Sequence, residues 1–258
     1  MSCGGITGLV SNRLIAYGTD TIFVPNTGWM PSLGMEKIKA ILMRAGNAVV
    51  GTGQHQFELA VQVALVRTDK PEPWGAVGTT WYNDGGESCT TEIDISADTD
   101  GALFVRFGVA HKLSLGTASL GQTDVELQVS YESCGGIIDG TTLALMADTT
   151  EDRFAPVGRW IPAMTVDRVM AAIVATSESG NFQCRLAYRT ATTSQNEPGA
   201  WSTAFDAWHV GSGEWNTTLL TPTLANDMWI QFGIQYALTT GTSLGQATVS
   251  VATAVRKV

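Results

Sequence analysis

Hydrophobic residues alternate with polar or small ones in several short runs of this chain, and each run in the first half has a counterpart in the second. Phe57, Leu59, Val61, Val63 and Leu65 alternate with Glu58, Ala60, Gln62 and Ala64, the two-residue period of a strand with one buried face. Phe182, Cys184, Leu186 and Tyr188 alternate in the same way with Gln183, Arg185, Ala187 and Arg189. Val125, Leu127 and Val129, spaced by Asp124, Glu126 and Gln128, predict a strand closing the first half, and Val249 with Val251 predicts its partner. Residues 36–43 and 167–174 also fit a helical period. Turn residues follow each of them, Gly46-Asn47 and Ser177-Glu178-Ser179-Gly180-Asn181, and then a clear strand begins, so both segments are expected to be strands in a hairpin layout. In Trp29-Met30-Pro31 and Trp160-Ile161-Pro162 the proline blocks ladder pairing. Each Trp-x-Pro is therefore expected to enter a first core strand from an edge, with the tryptophan capping the core.

The best-matched blocks are Phe107-Gly108-Val109…Leu113…Gly116-Thr117…Ser119-Leu120-Gly121-Gln122 and Phe232-Gly233-Ile234…Leu238…Gly241-Thr242-Ser243-Leu244-Gly245-Gln246. Trp74 and Trp81, seven residues apart, face Trp201 and Trp208, and Glu87, Thr90 and Thr91 keep register with Glu214, Thr217 and Thr218. On the same alignment His111 falls near Tyr236, His209 on Tyr82 and Cys184 on Leu59. Self-similarity of this length means one fold used twice. The expected fold class is all-β: a tandem duplication of an antiparallel β-sandwich or jelly-roll-like domain, with copy one at 1–132 and copy two at 133–258.

Composition narrows the function classes. The formal net charge is −9, both halves are acidic, and charged residues make up 15% of the chain, against roughly 25% in a typical soluble domain. No basic stripe is present for nucleic acid, so no nucleic-acid partner is expected. No apolar run approaches the roughly 18 residues of a membrane span. The start Met1-Ser2-Cys3-Gly4-Gly5 lacks the pattern of a secretory signal, which points to folding in a cytoplasm. The four cysteines show no metal or redox spacing. Cys3 and Cys134 occupy equivalent places and are expected as reduced thiols, a disulfide between them being the alternative. Cys184 reads as a small buried apolar group and Cys89 as a polar-loop residue.

Each candidate for chemistry has a plainer reading. Gly241-Thr242-Ser243-Leu244-Gly245 has the spacing of a nucleophile elbow but lies between two strands, with no histidine after it, and copy one breaks the spacing; it reads as a turn. His55, His111 and His209 are scattered, without zinc spacing. Exchange with tyrosine between copies suits half-exposed sheet positions. Asp94, Asp98 and Asp100 crowd one stretch near Glu92, and Asp98-Thr99-Asp100-Gly101 resembles the start of a calcium loop without the full spacing; these are the weak candidates for a metal, and the plain reading is a solvated acidic turn. No residue is assigned a catalytic role, no cofactor is expected, and the chain is not expected to be an enzyme. Trp74, Trp81, Trp201 and Trp208 could stack on pyranose rings, although large aromatics at matched places in both copies also suit packing.

Tandem Gly/Thr-rich β units carrying Phe107-Gly108 and Phe232-Gly233 resemble the modules of capsid decoration and head or tail accessory proteins of tailed bacteriophages. The resemblance implies a structural virion protein, folded in the host cytoplasm, that reinforces a particle through contacts with shell subunits or with itself. The alternative is a tandem carbohydrate-binding module reading host glycans through Trp74, Trp81, Trp201 and Trp208.

Overall fold

The computed structural model describes residues 4–256 apart from 51–52, 78–80, 83–85, 91, 115–119, 133–134, 178–180, 193–194, 196–197, 204–205, 225–226 and 242–243. The chain divides into two compact units, one of Met1–Ala64 with Thr68–Cys134 and one of Gly135–Val258 with Leu65–Arg67.

The first unit contains β1 (Gly4–Ile6), β2 (Val10–Ala16), β3 (Ile22–Pro25), β4 (Met30–Pro31), β5 (Lys37–Val50), β6 (His55–Ala64), β7 (Gly75–Ala76), β8 (Gly86–Cys89), β9 (Ile93–Asp94), the single turn α1 (Ser96–Thr99), β10 (Phe104–Leu113) and β11 (Leu120–Glu132). The second contains β12 (Gly135–Ala147), β13 (Arg153–Pro162), β14 (Arg168–Ser177), β15 (Phe182–Ala191), β16 (His209–Val210), β17 (Gly213–Asn216), β18 (Trp229–Leu238) and β19 (Gly245–Arg256). Both segments with an ambiguous period form strands, β5 and β14, but Gly46-Asn47 lie within β5 and neither strand pairs with the one that follows it, so the expected hairpins do not form.

In the second unit the sheets run β12-β19-β14-β17 and β13-β18-β15-β16, with every pairing antiparallel. Counted along that unit, the orders are first-eighth-third-sixth and second-seventh-fourth-fifth, the two-Greek-key connectivity of a jelly roll. The first unit repeats it. There β1 and β2 share the first position, β3 and β4 the second, and β8 and β9 the sixth, around the same central strands β11, β5, β10 and β6.

Each sandwich closes on its own core. Phe57, Leu59, Val61, Val105, Phe107, Val109, Val125, Leu127 and Val129 form the first with Leu14, Ile38 and Leu42. Phe182, Cys184, Leu186, Tyr188, Ile230, Phe232, Ile234, Val249 and Val251 lead the second. The alternation therefore faces the core as expected, except that Leu65 lies beyond the end of β6 and is exposed. A shared threonine closes the third-to-sixth strand pairing in both units: Ala40 N–H donates to Thr90 Oγ1 at 2.8 Å, and Ala171 N–H to Thr217 Oγ1 at 2.9 Å.

Register corrects one equivalence. Phe107 lies opposite Val61, and Phe232 opposite Tyr188. Since Phe107 and Phe232 correspond, so do Val61 and Tyr188, which places Cys184 on Phe57 rather than on Leu59. A two-residue slip keeps the same face inward, so alternation is blind to it. Cys184 itself is fully buried, and burial pushes its thiol up to about 12. Cys89 ends β8 opposite Ile41, in a strand rather than a loop. Cys3, Cys134, Thr91, Thr242 and Ser243 fall outside the described residues.

Candidate functional site

The four tryptophans proposed for stacking sit on the outward face of the second sheet of each unit. Phe107 points into the core, so Arg106 and Gly108, its neighbours on β10, point away from it. Gly108 provides a notch for Trp74: a Cβ there would come within 2.8 Å of Trp74 Cη2 and press into the Val24 carbonyl oxygen. Gly233 does the same for Trp201. Hence the Phe-Gly pair recurs, with the phenylalanine filling the core and the glycine making room outside.

Around each notch an aromatic and cationic ladder is built. Trp74 stacks on Phe23 with 5.9 Å between ring centroids and 9° between planes, and Trp201 stacks on Phe154 at 5.6 Å and 4°. In the first unit the Arg106 guanidinium lies 4.5 Å from the Trp29 ring centroid and 5.3 Å from that of Trp74. In the second, Arg189 lies 5.3 Å from Trp160 and 4.7 Å from Trp201. Trp29 and Trp160 thus lie outside the sheet, sandwiching a cation, and do not cap the core as expected. The guanidinium fits because it is planar and weakly hydrated, and such contacts contribute about 0.5–2 kcal/mol according to burial.

The cation has changed strands between the copies. Arg106 on β10 donates from Nε and Nη2 to Gln62 Oε1 on β6, at 2.8 and 2.5 Å. Arg189 on β15 donates in the same way to Gln231 Oε1 on β18, at 3.0 and 2.8 Å. Arg106 lies directly opposite Gln62, and Arg189 opposite Gln231. Position for position, Gln62 corresponds to Arg189 and Arg106 to Gln231. Aligned residues alone look unrelated here; only the cross-strand pair shows that both units keep one arginine and one glutamine in the same place. Sequence reasoning missed these four residues for that reason.

Trp81 and Trp208 are held similarly. The Lys112 ammonium lies 4.1 Å from the Trp81 ring centroid, and the Arg185 guanidinium 4.5 Å from that of Trp208, with Arg185 Nε donating to Gln235 Oε1 at 2.6 Å. Burial raises the carboxyl of Glu58, and Lys112 opposes that rise. All four tryptophans are half-buried. Their rings are engaged by phenylalanine, glycine and cations of their own unit.

The acidic stretch forms no cage. Asp94 Oδ1 accepts from Ser96 N–H at 2.9 Å and from Ser96 Oγ at 2.6 Å, bonds that hold its carboxyl below the usual range. Asp98 lies in α1, where burial and then Asp94 push its carboxyl up, and Asp100 follows the helix. Among the described residues no three His, Cys, Asp or Glu side chains gather around a point that could hold a metal ion.

His55 and His111, far apart in sequence, come together. Their Nε2 and Nδ1 atoms are 3.1 Å apart in the first core, and both residues are at most 1% exposed. Their counterparts in the second unit, by register, are Phe182 and Tyr236, which stack at 6.1 Å. His209, in its turn, lies opposite Cys184 as Tyr82 lies opposite Phe57, and it stacks on Trp215 at 5.0 Å. The expectation of a half-exposed sheet position fails for His111, which is buried, and fits His209, which is half-buried.

No protein-family model matches the sequence, and no curated protein matches it. Among solved structures the chain is similar to the PBSX exported protein XepA, at 12% identity over 96% of this chain and 86% of that one, with a TM-score of 0.31. It is also similar to the tandem CBM22-1-CBM22-2 domains of Xyn10C from Paenibacillus barcinonensis, at 6% identity over 96% and 92% of the two chains, with a TM-score of 0.27. A third similar structure is a triple jelly-roll protein from the turret assembly of an archaeal virus, at 12% identity and a TM-score of 0.25; 95% of this chain spans 60% of that one. Identities this low carry no role across.

Proposed function

We propose that the chain is a structural component of a virus particle, gripped by neighbouring proteins and not acting on a substrate. The observation that supports this reading is the free edge of the second unit. β12 is 13 residues long, and among the described residues β19 is its one strand neighbour. Natural sheets protect such edges with short strands, bulges, prolines or charges. The far edges of both units follow that rule, with two residues each in β7, β9 and β16 and four in β8 and β17. β13 carries Pro156 and Pro162. β12 carries no proline, lysine or arginine; its one charged residue, Asp139, lies at the register shift between Ile138 and Thr141, and Thr141–Ala147 beyond that shift is an unbroken edge.

Beside that edge Met146 is 51% exposed. It borders an open depression of about 370 Å³ lined without charge by Ala144, Leu145, Met146, Thr176, Gln246 and their neighbours. A neighbouring chain laid along β12 would supply the missing ladder partners and bury apolar surface, worth about 25 cal/mol per Å². Two similar units on one chain would then add weak contacts through effective concentration.

The carbohydrate-binding alternative draws on Trp81 and Trp208, half-buried and each touched by one cation. Against it stands the engagement of Trp74 and Trp201 within their own ladders. The reinforcing role is tested on particles purified with and without this chain, compared for survival after heating and osmotic shock. Particles lacking it are expected to break at lower temperature and milder shock; equal survival would overturn that role.

A further inference from the structure

The buried histidine pair of the first unit has no counterpart in the second, which places Phe182 and Tyr236 at the same positions. His55 opens β6 and His111 lies near the end of β10, so the rings meet where the first sandwich ends. Gly121 at the start of β11 leaves room for them: a Cβ there would meet His55 Cγ at 3.2 Å, His55 Nδ1 at 3.3 Å and Leu113 Cδ2 at 2.5 Å. One imidazole donates to the other, and His55 Nδ1 is buried with no hydrogen-bond partner. Phe57, opposite His111, and Leu113, opposite His55, are buried apolar neighbours at this end of the core.

Charged and titratable groups around the pair do not balance a proton. From β5 comes Arg44, whose guanidinium lies 5.6 Å from the Phe57 ring centroid and acts on His55 as a like charge. Tyr82 stacks on Phe57 at 6.3 Å, and β11 contributes Gly121 and the buried Thr123. Glu58 and Lys112 belong to the outward faces of β6 and β10. Among the described residues no carboxylate faces the pair. The second unit places a hydrocarbon ring and a phenol, Phe182 and Tyr236, at the same two positions.

We propose that the His55–His111 pair is an acid-sensitive switch built into the first jelly roll alone, so that mild acid loosens that unit while the second keeps its fold. Protonating one ring leaves a cation in an apolar end of the core beside Arg44, and protonating both also removes the hydrogen bond between them. The rings must then leave the core, which parts β6 and β10 from β11 where the sandwich ends.

The sign follows from linkage. Burial, with Arg44 for His55 and His55 for His111, lowers both imidazoles from 6.5 to about 4. The unfolded chain therefore binds more protons between those values. The stability of the neutral pair is complete above about pH 6.5 and is lost as the pH falls toward 4.

The test is calorimetry of the full chain at pH 7.5 and pH 4.5, with the His55→Phe/His111→Tyr variant beside it and the imidazole carbons followed by NMR. One of two transitions is expected to fall by roughly 10 °C in acid, and the variant, which carries the second unit's own pair, should lose that extra fall. The two imidazoles should titrate well below 6.5 in the native chain, a readout that does not depend on the variant folding. Histidines that titrate near 6.5, or a variant with the same acid response as the native chain, would overturn the proposal.

Discussion

Replacing Phe232 by alanine is expected to destabilise the second unit by about 3–5 kcal/mol while leaving the first unit where it was. Phe232 is 1% exposed and lies opposite Tyr188, at the centre of a core shared by both sheets. Its removal leaves a cavity that flanking strands cannot close, because β18 is fixed on both sides by β13 and β15. Phe107→Ala should do the same to the first unit, where Phe107 is fully buried opposite Val61. Each unit has its own core, so each variant should shift one melting transition and spare the other. Thermal unfolding read by calorimetry checks this; a single variant that lowers both transitions equally would mean that the two cores are not independent.

Gly108→Ala and Gly233→Ala are expected to cost about 2–3 kcal/mol each, although both replacements add one methyl on an outward face. At Gly233 the added Cβ would press into the Trp201 ring and lie 2.8 Å from the Ala155 carbonyl oxygen; at Gly108 it would meet Trp74 and the Val24 carbonyl oxygen. A ring can swing aside, but a backbone carbonyl in a ladder cannot. Removing the indole as well, in Gly233→Ala/Trp201→Ala, should therefore fail to restore stability. Urea denaturation gives the readout. Native stability in Gly108→Ala and Gly233→Ala would contradict the packing of tryptophan on glycine that explains the repeated Phe-Gly.

The duplication and the inward faces were legible because burial on one side of a strand writes itself as alternation, as at Phe57 to Val61 and Val125 to Val129. The jelly-roll class followed from strand runs and turns, but the strand order did not, since some pairing partners lie more than a hundred residues apart. The register of β15 against its counterpart was out of reach for a related reason. Two phenylalanines, Phe57 and Phe182, invite alignment, and nothing in the pattern of faces penalises the two-residue shift.

Tryptophans mislead in a similar way. Trp29 and Trp160 look like core residues by size, yet the proline two positions on ends an edge strand, and each ring turns outward onto a guanidinium. Arg106 and Arg189 carry no shared sequence signal because the cation crossed from one strand to the next along with its glutamine. The histidine pair was hidden by separation along the chain and by its aromatic replacements in the second unit. Asp94, Asp98 and Asp100 are close in sequence, and a short helical turn uses the first of them as a local hydrogen-bond acceptor.

Electron cryo-microscopy of particles purified from the cells that make this chain tests the central claim most directly. The account predicts paired eight-stranded jelly rolls at repeating positions on the particle, in fixed proportion to its main subunit, with a neighbouring protein lying along β12. Particles without such density, together with a chain recovered only as a free monomer that binds glycans, would contradict it.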